Sequence, residues 1–288
     1  MDLIYSMQSA IAFMEDHLLE PITYEDVAKY LYVSSYHFHR TFRLFTGMPA
    51  AEYIKNRRLS LAGQELLTTT HKVIDIALKY CYESPESFAK AFLRFHGVTP
   101  SRARKPGAKL KLFHRFQIKI TLQGGTSMDY RIEERKPFRL IAKVKEFRNE
   151  IIAEDGNVDI PNFWDACLQD GTFNLLNTCS GTEATYGLCS PVSKESDTFL
   201  YGIGKEYSGS NCPEGLIVWE VTHPLWAVFK CIGTNGNCLS DMWNRIFTEF
   251  LPGSAYNMPD ETDFELYSDT LGADCFCELW IPIEKKQL

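Results

Sequence analysis

Two short segments of the sequence carry polar and basic side chains at spacings that place them on one face of a helix. These residues are Ser35, Tyr36, His39 and Arg40 in the first segment and Pro85, Glu86, Ser87 and Lys90 in the second. A guanidinium donates two parallel hydrogen bonds to a guanine edge, and a tyrosine contacts either a thymine methyl group or a phosphate. The pattern predicts that each segment reads double-stranded DNA, with Arg40 as the main base contact.

The second segment offers less to DNA than the first. Pro85 has no N–H to donate, and Glu86 is acidic, so that Glu86 either accepts a hydrogen bond from cytosine or repels phosphate. We therefore expect the second segment to read fewer bases. The alternative for any one of these side chains is a solvated helix face without a role.

Capping residues define the helices that carry both segments. Thr23 and Asp26 are spaced as a capping box that opens a short helix, and Ser34 caps a further helix that runs to about Thr46. Short helix, tight turn and helix is the helix-turn-helix pattern. The second segment repeats the first at an offset of about 50 residues, which indicates an internal duplication, and Ser84 followed by Pro85 fixes where its helix begins.

A single long helix over residues 49–70 is predicted to join the two motifs. At about 1.5 Å per residue it spans about 33 Å, which is one turn of DNA, so one monomer can cover a full site. Five basic residues on or near it are expected either to contact phosphate or to be solvated: Lys55, Arg57, Arg58, Arg102 and Arg104.

Composition separates the chain into two unlike parts. Residues 1–115 carry a net charge of +5 and the remainder −12, which agrees with −7 for all 288 residues. A basic part joined to an acidic part favours a nucleic-acid-binding module attached to a module that does not touch nucleic acid. The sequence has no apolar run long enough to span a bilayer and an odd number of cysteines, nine, so we expect a cytoplasmic protein with reduced thiols, no metal and no cofactor.

The second part has a different texture, with strand-like runs rich in β-branched and aromatic residues beyond Met128. Two helical stretches interrupt the strands, IPNFWDACLQD and CLSDMWNRIFTEFL, and divide the region into halves of the same order. We predict an α+β domain of duplicated strand-helix-strand-strand units around a ligand groove, behind an all-α domain with two helix-turn-helix units. The predicted boundaries are 1–108 for the helical domain, 109–127 for a linker with an extended piece FQIKITL, and 128–288 for the α+β domain.

The helical part resembles the DNA-binding domain of AraC/XylS-family transcription regulators. The resemblance covers residues 5–104 and rests on EDVAKYLYVSSYHFHRTFRLFTGMPAAEYIKNRRL for the first motif and VIDIALKYCYESPESFAKAFLRFHGVTPSRAR for the second. It implies double-stranded DNA and RNA polymerase as partners and a monomer or weak dimer. Cys81 departs from the family, which usually has glycine in that turn.

Residues 128–288 are similar to a GyrI-like (Rob-type) effector-binding domain, on the evidence of MDYRIEERKPFRLIAKV, YGIG, WAVF, MWNRIFTEFLPGS, DFELY and CELWIPI. The resemblance implies a cavity for a small hydrophobic, cationic aromatic effector, held by aromatic faces and carboxylates. The candidate ligand-binding residues are Trp164, Tyr201, Trp219, Trp226, Phe229, Glu265, Glu278 and Trp280.

Glu265 and Glu278 interrupt otherwise apolar strands. A buried carboxylate needs a partner or is neutralised, so a cationic ligand gives a physical reason for both residues. The alternative is that the aromatic residues fill the core and the glutamates face solvent.

These observations favour a ligand-responsive transcription regulator, not an enzyme. One alternative is a hydrolase, as are some GyrI-like proteins, in which Glu278 acts as the base and Tyr201 orients the substrate. Another alternative is a protein-binding module that holds a partner in the groove. The sequence shows no Ser-His-Asp arrangement and no phosphate-binding loop.

Overall fold

A computed structural model describes residues 3–118, 127–148, 159–193 and 198–286. The chain forms two compact units, one of Met1–Tyr32 with Thr46–Leu122 and the other of Val33–Phe45 with Gln123–Leu288. Residues 109–118 of the predicted linker have no regular secondary structure, and most of the predicted extended piece, from residue 119 onward, lies outside the described residues. None of the helices described is both long and apolar enough to cross a membrane.

The first unit is helical, as predicted. Its helices are α1 (Leu3–Asp16), α2 (Tyr24–Tyr30), α4 (Ala50–Thr68), α5 (Val73–Lys79), α6 (Pro85–His96) and α7 (Pro100–Ala103), while α3 (Ser35–Thr46) lies mostly in the second unit. Leu59, Ile76, Phe88 and Phe92 are buried in one core cluster of this unit.

The connecting helix α4 is shorter than predicted. It has 19 residues, about 28 Å at the usual rise, because Pro49 precedes it as an extended N-cap and Thr69 is already extended at its end. The prediction of a helix over 49–70 was therefore wrong by one residue at the start and two at the end.

The duplicated turns share an unusual backbone conformation. Cys81 has a φ of 65° and Tyr32, at the corresponding position of the first motif, a φ of 58°. Both are in the left-handed region, which a side chain makes unfavourable by about 1–2 kcal/mol. The turn at Cys81 thus keeps the conformation that glycine would favour. Ser84 caps the next helix, accepting a hydrogen bond from the Ser87 N–H at 3.1 Å, with Pro85 in the first turn as predicted.

The second unit is built on an antiparallel sheet. Its strands are β1 (Arg131–Glu134), β2 (Phe138–Arg148), β3 (Thr185–Pro191), β4 (Thr198–Glu206), β5 (Ile217–Val221), β6 (Leu225–Ile232), β8 (Asp263–Tyr267) and β9 (Cys275–Pro282), in the order β1-β6-β9-β8-β3-β4-β2-β5. A separate pair joins β7 (Tyr256–Asn257) to β10 (Glu284–Lys285). The helices are α8 (Asp159–Gln169), α9 (Thr172–Cys179), α10 (Asn237–Arg245), a π-helical turn (Ile246–Phe250), α11 (Leu251–Gly253) and a 3₁₀ turn (Asp269–Leu271).

The predicted duplication is present in this unit. The first half runs β2, α8, α9, β3, β4, and the second half runs β6, α10, β8, β9. The halves meet at the β3–β8 pair, and each continues outward in the same order. The edge strands are exchanged: β1 precedes the first half but pairs with β6, and β5 precedes the second half but pairs with β2.

The sheet has two buried faces, because alternate residues of a strand point to opposite sides. On the side that we call the helix face, Phe199, Tyr201 and Ile203 pack in one cluster with Phe163 of α8 and Leu176 of α9. On the side that we call the far face, a second cluster contains Leu140, Tyr186, Trp219, Trp226, Phe264 and Trp280. Residues that pair across neighbouring strands share a face, so the register assigns every other sheet residue.

Candidate DNA-reading helices and effector groove

The second reading helix, α6, presents its predicted side chains to solvent. Glu86, Ser87 and Lys90 are exposed and Pro85 is partly exposed. The Ser87 hydroxyl donates to the Ser84 carbonyl at 2.8 Å, which leaves its oxygen free to accept. The face is shaped as a reading face, and its contact with bases stays a prediction.

Three of the five basic residues proposed for phosphate contact are bonded within the helical unit. The Arg57 guanidinium forms an ion pair with Glu15 at 2.7 Å, and Arg58 donates to the Leu18 carbonyl at 2.8 Å. Arg104 donates to the Thr69 carbonyl at 3.1 Å. None of these three residues is merely solvated, and their contact with phosphate stays a prediction. Lys55 remains exposed on α4.

The first reading helix, α3, differs from α6. Its predicted reading residues Ser35, Tyr36 and His39 are buried, and only 20% of the Arg40 side chain is exposed. The Tyr36 hydroxyl lies 2.8 Å from the Cys189 sulfur on β3, and its ring centre is 5.3 Å from that of Phe199 on β4. The expectation that this face is open to solvent was wrong, because Tyr36 is packed in the helix-face cluster of the sheet.

The Arg40 guanidinium is bound on three sides. It forms an ion pair with Asp263 at 3.0 Å, donates to the Tyr36 hydroxyl at 2.8 Å, and lies 3.5 Å from the ring centre of Trp243 on α10. Burial raises the pKa of Asp263, and the positive charge of Arg40 opposes that rise. A planar cation is thus held between a carboxylate and an aromatic face, the arrangement that favours a guanidinium.

The N-terminus of α3 is bound by a second carboxylate. Asp260 accepts a hydrogen bond from the Ser34 hydroxyl at 2.7 Å and one from the Ser34 N–H at 3.2 Å. The Ser34 hydroxyl oxygen also accepts from the His37 N–H at 3.1 Å, which confirms the predicted cap. A carboxylate at this position is stabilised by the partial positive charge of the helix N-terminus.

Beside Arg40, the centre of the sheet carries a connected polar network. Asp263, Cys189 and Tyr201 lie in one row across β8, β3 and β4, and Glu265 lies in the next row opposite Gly187. Glu265 accepts hydrogen bonds from the Tyr201 hydroxyl at 2.8 Å and the Tyr267 hydroxyl at 2.9 Å. We call this the effector groove, as the candidate site for an effector: its floor is Cys189, Tyr201, Asp263 and Glu265 on the sheet. Trp164 of α8, bonded to Tyr201, and Trp243 of α10, stacked on Arg40, are its walls.

The charge of the Glu265 carboxylate is less well compensated than that of Asp263. Burial raises its pKa to about 7, although the two tyrosine hydroxyls oppose the rise. Among the described residues it forms no ion pair, since Arg40 is bonded to Asp263 instead. Gly187 makes room for this network, because a Cβ there would lie 2.5 Å from both the Glu265 carboxylate and the Tyr201 hydroxyl.

Four of the eight predicted ligand residues lie on the helix face. Trp164 donates its indole N–H to the Tyr201 hydroxyl at 3.0 Å, so Trp164, Tyr201 and Glu265 are connected. Phe229 shares this face but packs on Phe250 of the second half, with ring centres 5.0 Å apart.

The other four, Trp219, Trp226, Glu278 and Trp280, lie on the far face. The register pairs Glu265 with Leu279 and Leu266 with Glu278, so the two glutamates point to opposite sides. Arg131 binds Glu278 through two bonds of 2.7 Å, and this internal cation supplies the partner that a ligand was expected to supply. The expectation of one cavity containing both glutamates was therefore wrong. Glu278 and Tyr201, suggested as a catalytic pair, also lie on opposite faces of the sheet.

Sequence reasoning missed three residues of the groove, Cys189, Trp243 and Asp263, and also Tyr267, which donates to Glu265. The alternation of Asp263, Glu265 and Tyr267 along β8 places all three on one face and was available in the sequence. Trp243 lies in the second of the two predicted helical stretches, CLSDMWNRIFTEFL, where no role was predicted for it. No feature of the sequence distinguishes Cys189 from the other cysteines.

Comparisons with known proteins match two separate parts of the chain. A helix-turn-helix domain model matches residues 27–106, and a model described as "Integron-associated effector binding protein" matches residues 131–283, more than half of the chain. The HTH-type transcriptional activator AarP of Providencia stuartii is 42% identical over 94 residues, 33% of this chain and 70% of AarP. The regulatory protein SoxS of Escherichia coli K12 is 37% identical over 98 residues, 34% of this chain and 92% of SoxS.

Among solved structures, one similar chain is a putative bacterial transcription regulation protein from Staphylococcus aureus MU50. It is 20% identical, has a TM-score of 0.46, and the match covers 55% of this chain and 99% of that one.

Proposed function

Because the chain belongs to the AraC-type family of DNA-binding transcription regulators and carries a GyrI-like effector-binding domain, we propose that it controls transcription in response to an organic cation with aromatic rings. The observation that carries the ligand class is Glu265, a partly buried carboxyl group whose bonds among the described residues come from the Tyr201 and Tyr267 hydroxyls, beside Trp164. A cation that reaches this carboxylate is attracted by its charge and by the faces of the surrounding rings. The same groove gives a neutral ligand no comparable gain.

The remaining parts of the proposal follow from the two reading helices. Two helix-turn-helix units in one chain can cover a full DNA site, so we propose action as a monomer or weak dimer in the cytoplasm, with RNA polymerase as a partner. AarP is a transcriptional activator by name, which favours activation here. Genes that respond to toxic organic cations are the expected targets.

The hydrolase alternative is not supported by the geometry of its suggested residues, since Glu278 is bound to Arg131 on the far face. No specific contact favours the protein-binding alternative over a small ligand. The effector role is therefore the one function that we propose for this domain.

The test compares a cation with a neutral molecule of the same shape. Calorimetric titration of the full chain with 1-methylquinolinium and with 1-methylnaphthalene is expected to show a preference of about tenfold or more for the cation, equivalent to about 1.4 kcal/mol. Glu265→Gln keeps the volume and removes the charge, so it is expected to abolish this preference.

Glu220→Gln is the matched control, because it makes the same chemical change at an exposed position of the edge strand β5. It is expected to keep the full preference. An equal affinity of the wild-type chain for both molecules, or a preference that survives Glu265→Gln, would remove the proposed ligand class.

A further inference from the structure

We infer that the effector groove is a docking site for the chain's own first reading helix, with Tyr36 and Arg40 in the places of an aromatic cation, and that this self-contact withholds α3 from DNA. The statement that a cation competes with this self-contact rests on the proposed function. The statement that the self-contact excludes DNA rests only on the contacts of residues 33–45.

The docked side chains match the chemistry of the groove. Arg40 supplies a planar, delocalised cation to the Asp263 carboxylate and the Trp243 ring. Tyr36 supplies an aromatic ring to Phe199 and a hydroxyl to Cys189. One turn of helix thus presents the two features, a cation and an aromatic ring, that the groove is proposed to recognise in an effector.

The contact also explains why docking excludes DNA reading by α3. The guanidinium of Arg40 points its donors at Asp263 and at the Tyr36 hydroxyl. A bidentate bond to guanine needs the same donors, and the helix face must enter a major groove that cannot contain the sheet as well. The docked state and the DNA-bound state of α3 are therefore alternatives of one equilibrium.

Substitution of Asp260 can shift this equilibrium without changing the reading residues or the groove floor. It lies before β8 and binds the N-terminus of α3 through Ser34, away from Glu265. Its neighbour Glu261 is an exposed carboxylate that is bonded to His223 at 2.9 Å instead. Asp260→Ala and Glu261→Ala thus form a matched pair, one with and one without a contact to α3.

The experiment measures the affinity of the full chain for a duplex of about 30 base pairs selected from a random library by the wild-type protein. Asp260→Ala removes two hydrogen bonds to a charged group and so weakens the docking of α3. Without any cation, this variant is therefore expected to bind the duplex about tenfold more tightly than the wild type. Glu261→Ala is expected to bind as the wild type does. Asp263→Asn, which removes the ion pair with Arg40, is expected to tighten DNA binding as well and serves as the second variant if Asp260→Ala is poorly folded.

The effector side predicts a joint change that simple loss of stability does not give. Since a groove occupied by α3 lowers the apparent affinity for an added ligand, Asp260→Ala is expected to bind 1-methylquinolinium more tightly by a similar factor. In the wild type the cation is expected to raise the affinity for DNA, and in Asp260→Ala to raise it less.

The outcomes separate this inference from the proposed function. If Asp260→Ala and Asp263→Asn both bind the duplex no more tightly than Glu261→Ala does, the self-contact does not withhold α3 and the inference is overturned, even where the cation binds through Glu265. If both variants gain DNA affinity while 1-methylquinolinium binds to none of the proteins, the self-contact is supported and the proposed ligand class fails.

Discussion

The two reading helices come from one duplicated motif, yet α6 presents its reading face to solvent and α3 buries the same face against the sheet. Tyr36 and Arg40 of α3 correspond to Glu86 and Lys90 of α6 at an offset of 50. A glutamate at the place of Tyr36 would lie beside the Asp263 carboxylate, and a lysine lacks the planar fork and stacking face of arginine. Two side chains therefore give one copy of the motif a second partner that the other copy cannot bind.

The strongest test of this comparison gives α3 the residue of α6. Tyr36→Glu removes the ring that packs on Phe199 and buries a second carboxylate beside Asp263, with the single guanidinium of Arg40 shared between the two. This change is expected to cost about 3 kcal/mol, so α3 is expected to leave the groove. The Cys189 thiol, buried beneath Tyr36, is then expected to react with a maleimide at least about 100-fold faster, as mass spectrometry of timed samples would show. The reciprocal change, Glu86→Tyr, is the control and should leave the Cys189 rate unchanged.

A second test uses the pH dependence of stability that Glu265 is expected to cause. The pKa of Glu265 is raised to about 7 in the folded chain, so its contribution to the free energy of unfolding is fully present below about 4.5 and is lost as the pH rises through 7. At pH 8, Glu265→Gln is expected to be more stable than the wild type by up to about 3 kcal/mol.

Urea unfolding at pH 5 and pH 8, followed by tryptophan fluorescence, measures this difference. Tyr201, Tyr267, Asp263 and Arg40 face Glu265 and remain in the variant, so any pH dependence left in Glu265→Gln belongs to them. Parallel pH dependence in both proteins would mean that Glu265 is not the titrating group.

A third test compares the two helices on DNA. Arg40→Ala is expected to weaken binding to a selected duplex by about 1–3 kcal/mol and to relax one base position, and Lys90→Ala to weaken it less and without a change of preference. Measuring Arg40→Ala in the Asp260→Ala background separates the lost base contact from the lost self-contact. Equal losses with unchanged preferences would make both residues phosphate contacts.

The smallest test concerns the turns. Cys81 and Tyr32 are both in the left-handed region, so Cys81→Gly and Tyr32→Gly are each expected to stabilise their turn by about 1 kcal/mol, less the added freedom of the unfolded chain. Thermal unfolding measures the shift. Destabilisation by Cys81→Gly would show that the thiol contributes more than the backbone costs.

The parts of the fold that depend on local interactions were predictable from the sequence. Ser34, Ser84 and Pro85 mark helix starts because capping satisfies backbone groups within three residues of the cap, and the repeat at offset 50 carries both motifs. The order of the duplicated sheet domain was predictable for the same reason, since alternation and turn residues define each strand separately.

The features that depend on contacts between distant segments were not predictable. Alternation shows that Glu278 and Trp280 share a face, but only the register between β8 and β9 shows that this is not the face of Glu265. The same limit applies to Arg131, which is 147 residues from its partner Glu278, and to α3, whose partner lies on the sheet. A duplicated motif predicts equal local structure and does not predict equal surroundings.

The exchanged edge strands determine how a ligand can enter. The strand β1 leads into the first half but pairs with β6 of the second half. In the same way, β5 leads into the second half but pairs with β2 of the first half. Separating the halves would break the central β3–β8 pair and pull on the three-residue connections 135–137 and 222–224, each of which leads from an edge strand paired with one half into the other half. The two halves of the sheet are therefore held together, and under the inferred self-contact an effector enters when α3 leaves the groove and not through a hinge between the halves.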